Sequence, residues 1–204
     1  MAVGRKGDVT RTQHPIEAES YRILRSKVDT AALPPSTRAV TERVIHTSAD
    51  LDYATDLVCD EQALGAGARA LARQAPLIVD VRMLAAGITS REAVIALDLA
   101  LLPTDGLTRS AAGVRAAAAR YPDGAVWVIG NAPTALRELI RLAAHGLLRP
   151  ALVIGLPVGF VDAGAAKAQL RASGLPALSN RSAKGGTAVA AAAVNALLYL
   201  EPAQ

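Results

Sequence analysis

The sequence predicts an α/β protein with three layers, α/β/α, around a mainly parallel, doubly wound sheet. Three observations carry this prediction. Short apolar or β-branched runs alternate with Ala-rich segments of helical length. Those runs are apolar throughout, as strands covered on both faces are. The chain has 204 residues, 51% of them hydrophobic and 20% charged, enough to bury a core without staples.

In chain order, residues 1–15 are polar and read as a flexible arm, and residues 16–204 as one domain with no long linker inside it. Residues 16–27 carry a helical pattern on Ile16, Tyr21, Ile23 and Leu24. Pro34 and Pro35 break the chain, and Ser36 is the expected N-cap of a helix through Val40, Val44 and Ile45, ending near His46. Strands follow at 77–79, 94–97, 126–129 and 152–154, with a weaker one at 177–179. Before, between and after them lie helical segments at 63–74, 110–120, 133–145, 163–173 and 187–200. Pro133 suits a first helical position, where its missing N–H costs nothing.

Composition excludes several classes. The single cysteine, Cys59, forms no internal disulfide. The first fifteen residues hold no apolar stretch of the secretory kind, and the longest apolar run, 188–200, is shorter than the roughly 20 residues that cross a bilayer. A cytoplasmic protein with no membrane partner is expected. The net charge is +4, with Arg supplying 18 of the 22 cations, and the excess is dispersed along the chain. Aromatics make up only 3%, too few for base-stacking platforms, so no nucleic-acid partner is expected. Arginine-rich walls suit a small molecule bearing carboxylates.

Several motif tests fail. There is no phosphate-binding G-x-x-x-x-G-K-[ST] loop, no G-x-G-x-x-G after a strand, no zinc spacing and no G-x-S-x-G elbow. Gly65-Ala66-Gly67 lies inside a helical pattern.

Ligands of doubly wound sheets bind beyond the carboxyl ends of the strands. There the sequence places Asp80, Arg82 and Met83, then Gly130-Asn131-Ala132-Pro133-Thr134, then a Gly-rich loop with the only Phe, Phe160. Asp80 reads as a cap for the following helix. Met83 and Phe160 each fit either an apolar ligand pocket or the core. Arg109 precedes a helix and is either an acid clamp or a surface arginine. Lys184-Gly185-Gly186-Thr187 is either an anion nest or an ordinary loop and cap. Of the three histidines, His14 lies in the arm and His145 at a helix end. His46 has no such easy explanation: it is a general acid or a core or capping histidine.

Read in order, IEAESYRIL (16–24), RVIHTSAD (43–50), IVDVRMLAAGI (78–88), TRSAAG (108–113), VIGNAPTAL (128–136), GLPVGFVDAGAAK (155–167) and KGGTAVAAAAVNALL (184–198) resemble the precorrin-8X methylmutase family of cobalamin biosynthesis. GNAPTAL and PVGFV are the most specific. The resemblance implies a three-layer α/β fold and an isomerase that moves a methyl group from carbon 11 to carbon 12 of precorrin-8X, giving hydrogenobyrinic acid. It implies no cofactor and no metal, a homodimer with active sites near the subunit interface, and a polycarboxylate tetrapyrrole as substrate and product. The catalytic histidine of the family falls on His46, and a pocket serine on Ser20. Arg43 stands before it in the same motif, and Arg109 matches an arginine near the substrate. Asn131 of GNAPTAL, Met83, Phe160 and Lys184 complete the implied substrate-binding set. The sequence departs from the pattern at Ala165 and Ala166, where Glu and Ser are usual, and at Ala183, where Arg is usual. Two further readings fit the same residues: the cobalt-containing version of the reaction, and a non-catalytic tetrapyrrole-binding protein.

Overall fold

The computed structural model describes residues 14–100 and 106–200. Its elements run α1 (Pro15–Lys27), α2 (Pro35–Ser48), α3 (Tyr53–Asp56), β1 (Leu57–Cys59), α4 (Glu61–Ala72), β2 (Leu77–Val79), α5 (Arg82–Ala86), β3 (Val94–Ile95), α6 (Ala96–Leu99), α7 (Arg109–Arg120), β4 (Val126–Ile129), α8 (Pro133–Ala144), β5 (Leu152–Gly155), α9 (Ala163–Ala172), β6 (Ala177–Asn180) and α10 (Thr187–Leu198).

The six strands form one sheet in the order β1-β6-β5-β4-β2-β3. Every pairing is parallel except that of β1 with β6. Successive residues of each strand face opposite layers. Val79, Val126, Val128, Leu152, Ile154 and Leu178 pack with α1, α2, α4, α5 and α10. Ile78, Trp127, Ile129 and Val153 pack with α7, α8 and α9. Strands β2, β4 and β5 are buried along their whole length, which is why their sequences are apolar without alternation.

Four local features differ from the sequence reading. Strand β1 was not expected; its three residues are only half-buried and carry no clear period. Residues 94–97 split into two strand residues and the start of α6. Helix α2 starts at Pro35, with Pro34 as its cap and no capping side chain of its own. Glu61, from the first turn of α4, takes over: its carboxylate accepts from the Ser36 and Thr37 amides at 2.9 and 2.8 Å, so Ser36 is capped rather than capping. Of the arm expected over 1–15, residues 1–13 lie outside the described residues, while His14 caps α1 and Pro15 is its first residue.

Gly67 explains the Gly-Ala-Gly run in α4. A Cβ there would stand 2.4 Å from the Leu152 side chain, so glycine lets the helix lie directly on β5.

Candidate active site

The face of α1 that meets α2 carries Glu17, Ser20, Tyr21 and Leu24, at helical positions i, i+3, i+4 and i+7. Opposite them, α2 presents Arg43 and His46 one turn apart. Ser20 Oγ lies 2.7 Å from His46 Nδ1. The Tyr21 ring stacks on the imidazole, centroids 5.0 Å apart and planes 13° from parallel. Arg43 donates to Glu17 at 2.9 Å and lies over the Tyr21 ring, its guanidinium carbon 5.7 Å from the centroid. The imidazole is therefore fixed at one nitrogen and along its plane. Its Nε2 has no protein partner among the described residues and is the nitrogen left to meet a ligand.

The carboxyl ends of the strands form a rim beside this cluster. After β6 the chain turns through residues 181–186, and the Lys184 ammonium binds Asp50 at 2.7 Å and Asp52 at 2.6 Å, just beyond the end of α2. Hydrogen bonds from Lys184 hold the Asp50 carboxyl below its usual range, and the two aspartates raise the Lys184 pKa. Lys184 thus ties the rim to the helix that carries His46. Gly185 and Gly186 follow with φ of 149° and 116°, and a Cβ on Gly185 would stand 2.3 Å from the Leu156 carbonyl. The Gly186 amide donates to that carbonyl, joining the loops after β5 and β6.

Asp80 does not cap the helix after it. Its buried carboxylate turns across the sheet and accepts from the Gly130, Asn131 and Ala132 amides at 3.3, 2.7 and 3.2 Å, fixing the strand-end turn after β4. Burial pushes the Asp80 pKa up, against those three donors, which favour its charged form. The Asn131 side chain is left exposed on the rim. Thr134, in the first turn of α8, meets Thr108, the N-cap of α7, hydroxyl to hydroxyl at 2.7 Å. That contact brings Arg109, the first residue of α7, beside the Asn131 turn; its exposed side chain has no charge partner among the described residues.

Met83 is 72% exposed and Phe160 fully exposed, so neither serves as core. They stand on the rim after β2 and β5, with Val158 and Val161 also exposed beside Phe160. The remaining histidines have local structural partners: His14 Nδ1 accepts from the Ile16 amide, and His145 Nδ1 lies 2.7 Å from the Arg141 carbonyl oxygen at the end of α8. Among the described residues, no three His, Cys, Asp or Glu side chains converge as a metal site. None of the described helices is long and apolar enough to cross a membrane.

His46, Ser20 and Arg43 are thus in one cluster. Met83, Asn131, Phe160, Arg109 and Lys184 are spread along the adjoining rim. Sequence reasoning passed over Tyr21, Glu17, Asp56 and Lys167. The first two lie on one helix face with Ser20, and the apolar periodicity of residues 16–27 does not mark that face as polar.

Comparison with known proteins agrees with this architecture. The sequence model of the precorrin-8X methylmutase family matches residues 15–200. The chain is 39% identical to the cobalt-precorrin-8 methylmutase of Methanocaldococcus jannaschii, over 78% of this chain and 77% of that one. It is 38% identical to the precorrin-8X methylmutase of Pseudomonas aeruginosa, over 93% and 97%. A solved precorrin-8X methylmutase from Thermus thermophilus superposes with a TM-score of 0.83 at 34% identity, covering 90% of this chain and 93% of that one.

Proposed function

The chain belongs to the precorrin-8X methylmutase family, and we propose that His46 is the acid of its methyl shift. The reaction is an isomerisation. The methyl group leaves carbon 11 with its bonding electrons and joins carbon 12, and no atom is gained or lost between precorrin-8X and hydrogenobyrinic acid. A proton or strong hydrogen bond delivered to the macrocycle makes its π-system electron-poor, which favours migration. The proton returns to the imidazole as the product forms.

The observation that carries this reading is the fixed orientation of His46. In the protonated ring, Nδ1–H donates to Ser20 Oγ, and Nε2–H is the acid presented to substrate. Tyr21 holds the plane of the ring, and Arg43, tied to Glu17, covers Tyr21. Ser20 and Arg43 serve the site by shaping His46. Arg109 and Asn131, with the amino ends of α8 and α10, which carry no capping side chain, suit the acetate and propionate groups of the substrate. Met83 and Phe160 offer apolar surface to the macrocycle, and their exposure also suits a homodimer that closes over the rim. Residues 16–204 act as one catalytic domain in the cytoplasm.

The test is a turnover assay with precorrin-8X. Wild-type protein converts it, and His46→Ala binds hydrogenobyrinic acid but does not convert; full activity of that variant removes the proposed role. The similarity to proteins named cobalt-precorrin-8 methylmutase motivates a second arm, with metal-free and cobalt-containing substrate compared in the same assay. Light scattering tests the dimer: a lone 21.0 kDa species contradicts it.

A further inference from the structure

Lys167 in α9 is a lysine without solvent exposure. A buried ammonium is costly unless polar partners meet it. Among the described residues no carboxylate forms an ion pair with it. Its Nζ donates to Asn180 Oδ1 at 2.7 Å and to the Lys184 carbonyl at 2.7 Å. Asn180, also fully buried, donates to the same carbonyl at 3.0 Å and to Asp56 Oδ2 at 2.7 Å. Asp56 in turn accepts from the Arg181 and Ser182 amides and the Ser182 hydroxyl. Burial lowers the Lys167 pKa to about 8, with Asp56 opposing the shift and Arg171 adding to it. A cation, an amide and a carboxylate therefore hold residues 180–184 from beneath the rim. An apolar side chain of similar length fills the same space at less cost, so the retained charge points to the segment it holds.

That segment leads to His46. The Lys184 main chain is anchored by Lys167 and Asn180, while its side chain clasps Asp50 and Asp52. The Asp50 amide donates to Ser48 Oγ, which donates to the Val44 carbonyl inside α2. We propose that Lys167 is a positioning residue for the methyl shift: by fixing the Lys184 carbonyl it sets the Lys184 clasp on Asp50 and Asp52, and with it the end of α2 that carries His46. The inference rests on the reading of His46 as the acid.

The experiment compares wild-type, His46→Ala, Lys167→Met, the double variant Asp50→Ala/Asp52→Ala and the combination of the last two on precorrin-8X, with thermal melts of each. The double variant keeps the Lys184 cation and removes its clasp, together with the Asp52 amide's bond to Asp50 Oδ1. Small misplacement of a reacting group costs roughly one to two orders of magnitude, so kcat falls by about that factor in Lys167→Met and in the double variant, with KM little changed. Combining the two adds little, because both act on one linkage. Wild-type kcat in folded Lys167→Met, or fully additive losses, overturns the proposal. Should Lys167→Met not fold, wild-type kcat in the double variant overturns it alone. An inactive wild type or an active His46→Ala strikes the reading beneath it, and does so in separate samples.

Discussion

The Ser20 hydroxyl and His46 Nδ1 stand 2.7 Å apart, although 26 residues separate them in sequence. The contact joins the facing sides of α1 and α2 and fixes which imidazole nitrogen is free. Hydrogen bonds to charged groups contribute about 1.5–3 kcal/mol, so Ser20→Ala is expected to lower kcat by roughly tenfold or more. His46→Ala is expected to lose more, about ten-thousandfold, the upper end of what a general acid contributes, which leaves no conversion to detect. Steady-state kinetics on precorrin-8X reads both; a Ser20→Ala variant with unchanged kcat contradicts the positioning role.

Met83 and Phe160 lie on the rim with their side chains in solvent. Replacing either by Ser should leave the melting temperature unchanged. Each apolar side chain buried against a ligand contributes about 1.5–3 kcal/mol, so hydrogenobyrinic acid should bind some tenfold or more weakly. Absorbance titration measures this, and a loss of thermal stability without loss of affinity would assign these residues to packing.

The Asp80 carboxylate answers the Gly130, Asn131 and Ala132 amides. Asp80→Ala leaves those donors without it at a cost of about 1–3 kcal/mol, visible as a lower urea midpoint. Gly130→Ala should destabilise by a similar amount for another reason: its Cβ would lie 2.8 Å from both Ala190 Cβ and Leu84 Cδ1. Overpacking of this kind costs about 1–3 kcal/mol. Midpoints equal to wild type contradict both assignments.

Glu42 gives the fold an acid-side dependence. Burial works to raise its pKa, but Arg25, Thr30 and Arg38 all donate to its carboxylate and bring it down to about 2. A carboxyl with a folded pKa below its unfolded value stabilises the protein fully above pH 4.5, and that stability is lost as pH falls from 4.5 through 2. With Arg25 half-exposed, the contribution is roughly 1–3 kcal/mol. Urea melts across that window should show a steeper loss for wild type than for Glu42→Gln; equal slopes contradict the assignment.

The fold was legible where burial is two-sided. Residues 77–79, 126–129 and 152–154 are apolar because helices cover both faces, and each became a strand. Leu57–Cys59 was not legible, because an edge strand three residues long and half-buried has no period to read. The cap of α2 was misread because its donors are answered by Glu61, a residue 24 and 25 positions away from them. In the site, His46 stood out as a histidine without local explanation. Asp80 was misassigned for the same reason as Ser36: its partners are 50 to 52 residues distant, beyond any local rule. Lys167 was read only as part of a motif, since nothing in sequence marks a lysine as buried.

The most direct test of the central claim is conversion of precorrin-8X, followed by absorbance, with wild type and His46→Ala side by side and with product binding measured for both. The structure predicts pink hydrogenobyrinic acid from the wild type, and from His46→Ala product binding without conversion. Conversion by His46→Ala at the wild-type rate would contradict it.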